Sequence, residues 1–248
     1  MIHSFLLIGQ SNMAGRGDIN EAIPVNTKHI KTLRNGRWQT MFRPINPDRS
    51  FSGVNLAESF AEAYANKYDV DVGLICCADG GTRLEQWIEG GVLYDHAVYQ
   101  AKLAQRTSTI AGVLWHQGES DCGEALSQTY KPRLKEMFEA LKRDLNLYDV
   151  PFLVGGLGDF LKDNENFTYL KNYTAINEQL KKAAKEMSMT CFVPAEGLTS
   201  KPDNLHFNAK SLYEFGLRYF EAFEKTRDPN KIFAEKTDNA VRSEMEKL

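Results

Sequence analysis

The stretch FLLIGQSNMAG, residues 5–15, decides the fold, because an apolar run stops at Gly9 and a polar Gln-Ser-Asn follows at once. Four consecutive apolar residues, Phe5 to Ile8, suit a strand buried on both faces of a parallel sheet, where alternation is not required. Ser11 then lies just beyond the carboxyl end of that strand. Gly15 and Gly17 follow, and glycine lets a backbone turn tightly and approach a ligand closely. A serine so placed is either a turn residue or a nucleophile.

Further strand-like runs occur at 70–77 (VDVGLICC), 110–116 (IAGVLWH), 151–157 (PFLVGGL) and 189–195 (MTCFVPA). Helical spacing occupies 55–68, 95–106, 124–146, 169–188 and 208–225, so strand and helix alternate along the chain. This pattern predicts an α/β fold with a central parallel sheet of about five strands and helices on both faces. Residues 18–52, with Pro24, Pro44 and Pro47 and no clear period, are expected to be an irregular excursion over one end of the sheet. Residues 1–225 form one expected domain. Residues 226–248 are a charged extension with a weak helical pattern, read as a solvated terminal helix, or second as a subunit contact that would make a homo-oligomer.

With 248 residues and 42% hydrophobic content, the chain can bury one sizeable core. A net charge of −3 without any concentrated Lys/Arg run argues against nucleic acid and favours a small ligand. No segment reaches the roughly 18 apolar residues of a membrane span, and the first apolar run lacks the flanks of a signal peptide, so a cytoplasmic location is expected. The four cysteines show no metal-type spacing and read as free thiols.

In an open α/β sheet, ligands bind at the carboxyl ends of the strands, and four loops there are polar: GQSN, ADGGT (78–82), HQGESD (116–121) and KPDNLHFN (201–208). Together they supply the parts of an acyl-transfer site. Ser11 is the candidate nucleophile. Of the five histidines, only His206 has an acid in a fixed local relation, Asp203 three residues earlier, which can hold Nδ1–H and leave Nε2 free for Ser11. The Gly80-Gly81 backbone and the Gln117 amide can join the Ser11 N–H as oxyanion donors.

The motifs GQSNMAGRG, CCADGGTRLEQW, LWHQGESD and DNLHFN resemble those of the SGNH hydrolase superfamily, and within it the branch of carbohydrate acetylesterase family 6 and sialate O-acetylesterases. The resemblance runs from residue 3 to about residue 220. It implies a three-layer flavodoxin-like fold and removal of acetyl groups from a small acetylated carbohydrate, with no metal or cofactor. It also implies Ser11 as nucleophile, Asp203 and His206 completing the triad, Gly80 and Gln117 at the oxyanion, and Glu119 as an assistant to the histidine. One departure is His116, where relatives often carry Tyr.

Plainer readings stand beside these. Ser11 and Asp203 could each cap a helix. Glu119 and Asp121 could be a buried pair that positions loops through Arg16, and His116 a structural histidine. Trp87 could be a sugar platform or a core aromatic. Two other function classes are a metal-dependent hydrolase built on His116, Glu119, Asp121, Asp203 and His206, and a carbohydrate-binding relative without catalysis. The first lacks any recognised ligand spacing.

Overall fold

The computed structural model describes residues 1–227. Its sheet has seven strands, β1 (Ile2–Gly9), β2 (Ile30–Arg34), β3 (Arg37–Thr40), β4 (Asp71–Cys76), β5 (Thr109–His116), β6 (Phe152–Gly155) and β7 (Thr190–Val193), in the order β3-β2-β4-β1-β5-β6-β7. Every neighbouring pair is parallel except β2 and β3. The five strands read from apolar runs are all present. Their order is that of a doubly wound sheet, with β1 central and the chain leaving it on both sides.

β1 is buried along its whole length, as a strand flanked by β4 and β5 and covered on both faces must be. Its side chains alternate between two cores. Phe5 and Leu7 face α2 (Ala57–Tyr68) and α7 (Ala209–Thr226), where Phe60, Tyr64, Phe215 and Phe223 pack. Leu6 and Ile8 face α3 (Val92–Ala104), α5 (Tyr130–Leu145) and α6 (Tyr173–Glu186), through Trp115, Phe138, Ile176 and Leu180. The result is three layers, helices over sheet over helices.

Residues 18–52 correct the expectation of an irregular excursion. They contain the antiparallel hairpin β2–β3, whose turn is Asn35-Gly36, both with positive φ at 50° and 75°. An Asn-Gly pair between short apolar runs is a strong hairpin signal. Here the polar β3, with only Trp38 half-buried, masks it. The expected helix at 124–146 is also two, α4 (Glu124–Gln128) and α5. The C-terminal extension lies outside the described residues apart from the last turn of α7 and Arg227. Among the described residues no helix is long and apolar enough to cross a membrane.

Candidate active site

β1 ends where it does because Gly9 meets β5. Its φ is 135°, and a Cβ there would lie 2.1 Å from the His116 carbonyl oxygen. The same carbonyl accepts the Gln10 N–H at 2.9 Å, which closes the strand end. The chain then enters a single helical turn, α1 (Ser11–Ala14), so Ser11 sits at the first helical position above the sheet. A first-turn N–H has no acceptor within its own helix, so the Ser11 amide is available beside its hydroxyl.

The His206 side chain arrives from the loop before α7, and its Nε2 is 3.1 Å from Ser11 Oγ. On the other side of the ring, Nδ1 is 2.8 Å from Asp203 Oδ2. A carboxylate can only accept there, so Nδ1 carries the proton and Nε2 is left to accept from the Ser11 hydroxyl. The three-residue spacing has a local cause. Asp203 Oδ1 accepts the backbone N–H groups of Leu205 and His206, both at 2.9 Å, and the loop closes around the carboxylate. Partial burial alone would raise the Asp203 pKa, but the His206 ring and those two amides outweigh it and hold the carboxyl well below the usual range.

Asn12 fixes this loop to the rest of the site. Its Oδ1 accepts the Phe207 N–H at 3.1 Å, while its Nδ2 donates to the Leu205 carbonyl at 3.1 Å and to Glu119 Oε1 at 2.6 Å. Sequence reasoning passed over Asn12, although it stands beside the serine.

Glu119 therefore reaches the crevice but does not orient His206. Its other neighbour is His116 Nε2 at 3.4 Å, an ion-pair distance without hydrogen-bond geometry. Burial would raise its pKa, and the interactions with His116 and Asn12 outweigh that and lower it. His116 is buried and packs edge-on against Phe207 and Phe215.

Two expected oxyanion donors are otherwise engaged. Gln117 is fully buried, and its Nε2 donates to Asp121 Oδ2 at 2.7 Å and to the Thr82 carbonyl at 3.0 Å. Two buried acceptors already claim the amide, so it holds loops together behind the crevice. Gly80 does lie against Ser11, within 3.5 Å of its Cβ for an added methyl, but its N–H donates to Asp48 Oδ2 at 2.9 Å.

Asp48 is the second residue that sequence reasoning missed. It forms a two-pronged pair with Arg16, at 3.0 and 2.7 Å, and accepts Ser52 Oγ at 2.7 Å. Burial opposes its charge, yet Arg16, Ser52 and the Gly80 N–H together lower its pKa. Arg16 is thus the partner of Asp48, not of Glu119 or Asp121. The Asp121 carboxylate takes Leu84 N–H, Gln117 and Arg133 instead. Trp87 is a core residue, 1% exposed, bonded to Thr82 and edge-on to Trp115. Among the described residues no three His, Cys, Asp or Glu side chains are placed to hold a metal. The five suggested ligands divide between the two His–acid pairs and the Asp121 network.

Ser11 and His206 open onto a crevice of about 290 Å³, lined also by Arg16, Arg49, Glu119 and three aromatic side chains. Residues 1–225 match the family described as carbohydrate esterase, sialic acid-specific acetylesterase. The chain belongs to this family. A probable carbohydrate esterase of Arabidopsis thaliana is 27% identical to it, over 88% of this chain and 89% of the relative. An Arabidopsis thaliana crystal structure superposes with a TM-score of 0.81 at 27% identity, covering 91% of this chain and 99% of that one. NanS, 17% identical, shares the fold with a TM-score of 0.73, covering 90% and 97% of the two chains. A carbohydrate acetylesterase of Xanthomonas citri, 16% identical, does so at 0.68, over 90% of this chain and 56% of its own length. The protein is thus a carbohydrate esterase, and the crevice that holds Ser11 lies at the carboxyl end of its central strand.

Proposed function

We propose that this carbohydrate esterase is a serine hydrolase that removes O-acetyl groups from sugars through an acetyl-enzyme. The observation that carries the reading is the continuous Ser11–His206–Asp203 chain, 3.1 and 2.8 Å, at the floor of the crevice. Ser11 Oγ attacks the acetyl carbonyl while its proton passes to His206 Nε2. Asp203 stabilises the imidazolium. The Ser11 N–H meets the developing oxyanion. The sugar oxygen departs with the proton from His206. Water, deprotonated by the same nitrogen, then attacks the acetyl-serine and releases acetate.

Acetate release from O-acetylated sugars should fall by roughly a thousandfold or more in Ser11→Ala, since a triad acts as a unit. A phosphonate serine reagent should add to Ser11 alone. Near-normal turnover by Ser11→Ala would remove the reading.

A further inference from the structure

Nine large hydrophobic side chains are exposed among the described residues, and three of them, Phe51, Phe167 and Tyr169, line the one crevice that holds Ser11. They come from two separate loops. Phe51 is 67% exposed at the end of the 41–52 segment, 5.3 Å beneath the Arg16 guanidinium. Phe167 and Tyr169, 43% and 45% exposed, stand 5.9 Å apart in the loop before α6. A solvated aromatic ring gains nothing from folding, so three at one mouth mark a surface that something else covers.

The charges at that mouth are already matched. Arg16 is paired with Asp48, and Arg49 lies 2.8 Å from Asp79 Oδ1 and donates to the Gly80 carbonyl at 3.0 Å. Those two guanidiniums are held by Asp48 and Asp79, and Glu119 lines the crevice as a further carboxylate. Arg83 lies near enough to influence Tyr169 but does not line the crevice. An anionic ligand would therefore have to compete with a built ion pair at either guanidinium and lie beside the Glu119 carboxylate.

Building on the esterase reading above, we propose that Phe51 and the Phe167–Tyr169 pair are specificity-determining residues, an aromatic clasp for the apolar face of an uncharged, O-acetylated pyranose. The negative faces of aromatic rings attract the C–H groups on one side of a sugar ring. A pyranose has such a face and keeps its hydroxyls at the rim, where Ser120 and Arg49 stand. A flexible acyl chain would have no need of flat walls.

The test compares kcat/KM on an O-acetylated methyl xylopyranoside, on 9-O-acetyl-N-acetylneuraminate and on 4-nitrophenyl acetate. For Phe51→Leu and Tyr169→Leu, which keep apolarity and lose the flat face, the loss on the xyloside should exceed the loss on the aryl ester by about three- to tenfold each. Phe51→Tyr and Tyr169→Phe should recover most of it. Equal losses on the two esters, or a leucine variant as good as the aromatic one, overturn the clasp. The wild type should prefer the xyloside to the sialate, and an equal or higher kcat/KM on the sialate overturns the uncharged ring. Should the wild type cleave none of the three, the esterase reading fails and the clasp is still decided. Saturation-transfer NMR of the xyloside on Ser11→Ala protein should show one ring face in contact, and no contact overturns it.

Discussion

Two loops of this esterase carry a histidine and an acid three residues apart, and they end in different states. Asp203 and His206 are hydrogen-bonded at 2.8 Å, partly exposed, with the free ring nitrogen on Ser11. His116 and Glu119 are buried and 3.4 Å apart, and neither ring nitrogen has a hydrogen bond among the described residues. The spacing is shared, so it does not decide the role. What differs is the backbone between the two residues. The 203–206 loop folds its own amides onto the carboxylate, which aims the side chain locally. The 116–119 loop instead follows directly from a buried strand, and Asn12 takes the carboxylate that would otherwise be free. A His–acid pair is thus aimed at a crevice where local hydrogen bonds orient it, and becomes packing where the strand buries it.

The most severe way to break this contrast is to neutralise one acid at a time. Asp203→Asn should cost about ten-thousandfold in kcat, because the amide favours the wrong imidazole tautomer. Glu119→Gln keeps an acceptor for Asn12 and should cost about tenfold, the difference between a charged and a neutral hydrogen bond. Initial rates on an acetylated sugar, with circular dichroism to confirm folding, decide it, and a larger effect at Glu119 would reverse the assignment of the two loops.

Gln117→Ala sharpens the same point. It leaves Asp121 and the Thr82 carbonyl each short of a donor in a buried setting, which should lower stability by about 1–3 kcal/mol. The loss should appear as a lower denaturation midpoint. A kcat loss near a thousandfold in a variant of unchanged midpoint would instead place the amide at the oxyanion.

The smallest effect concerns pH. The Asp203 pKa is depressed in the folded state, so its contribution to stability is present above the unfolded value near ~3.9 and is lost as pH falls toward the folded value. The stability gap between wild type and Asp203→Asn should therefore be constant near neutrality and shrink below about pH 4. Because Asp203 stays ionised throughout the range above that pH, it should add no proton of its own to the acid limb of kcat/KM. A limb steeper than one proton would show a second group in the triad titrating.

Much of this is legible in the sequence, and the reason is locality. Apolar runs of strand length alternating with helical periods require a doubly wound sheet, and such a sheet has its crevice at the strand ends. Ser11 follows the central strand, and Asp203 reaches His206 within one turn, so both can be brought to the crevice by a local reading, although the same spacing at His116 and Glu119 does not fix a role. The hairpin β2–β3 was written in Asn35-Gly36 but hidden, since an edge strand that buries little carries little apolar pattern. Residues joined only by tertiary contact could not be read. Asp48 meets Arg16 across 32 positions and Asn12 meets Glu119 across 107, and no periodicity encodes such distances. Gln117 shows the same limit. Its residue type permits an oxyanion donor, and only the packed neighbours, two buried acceptors that cannot go unmet, decide that its protons are already used.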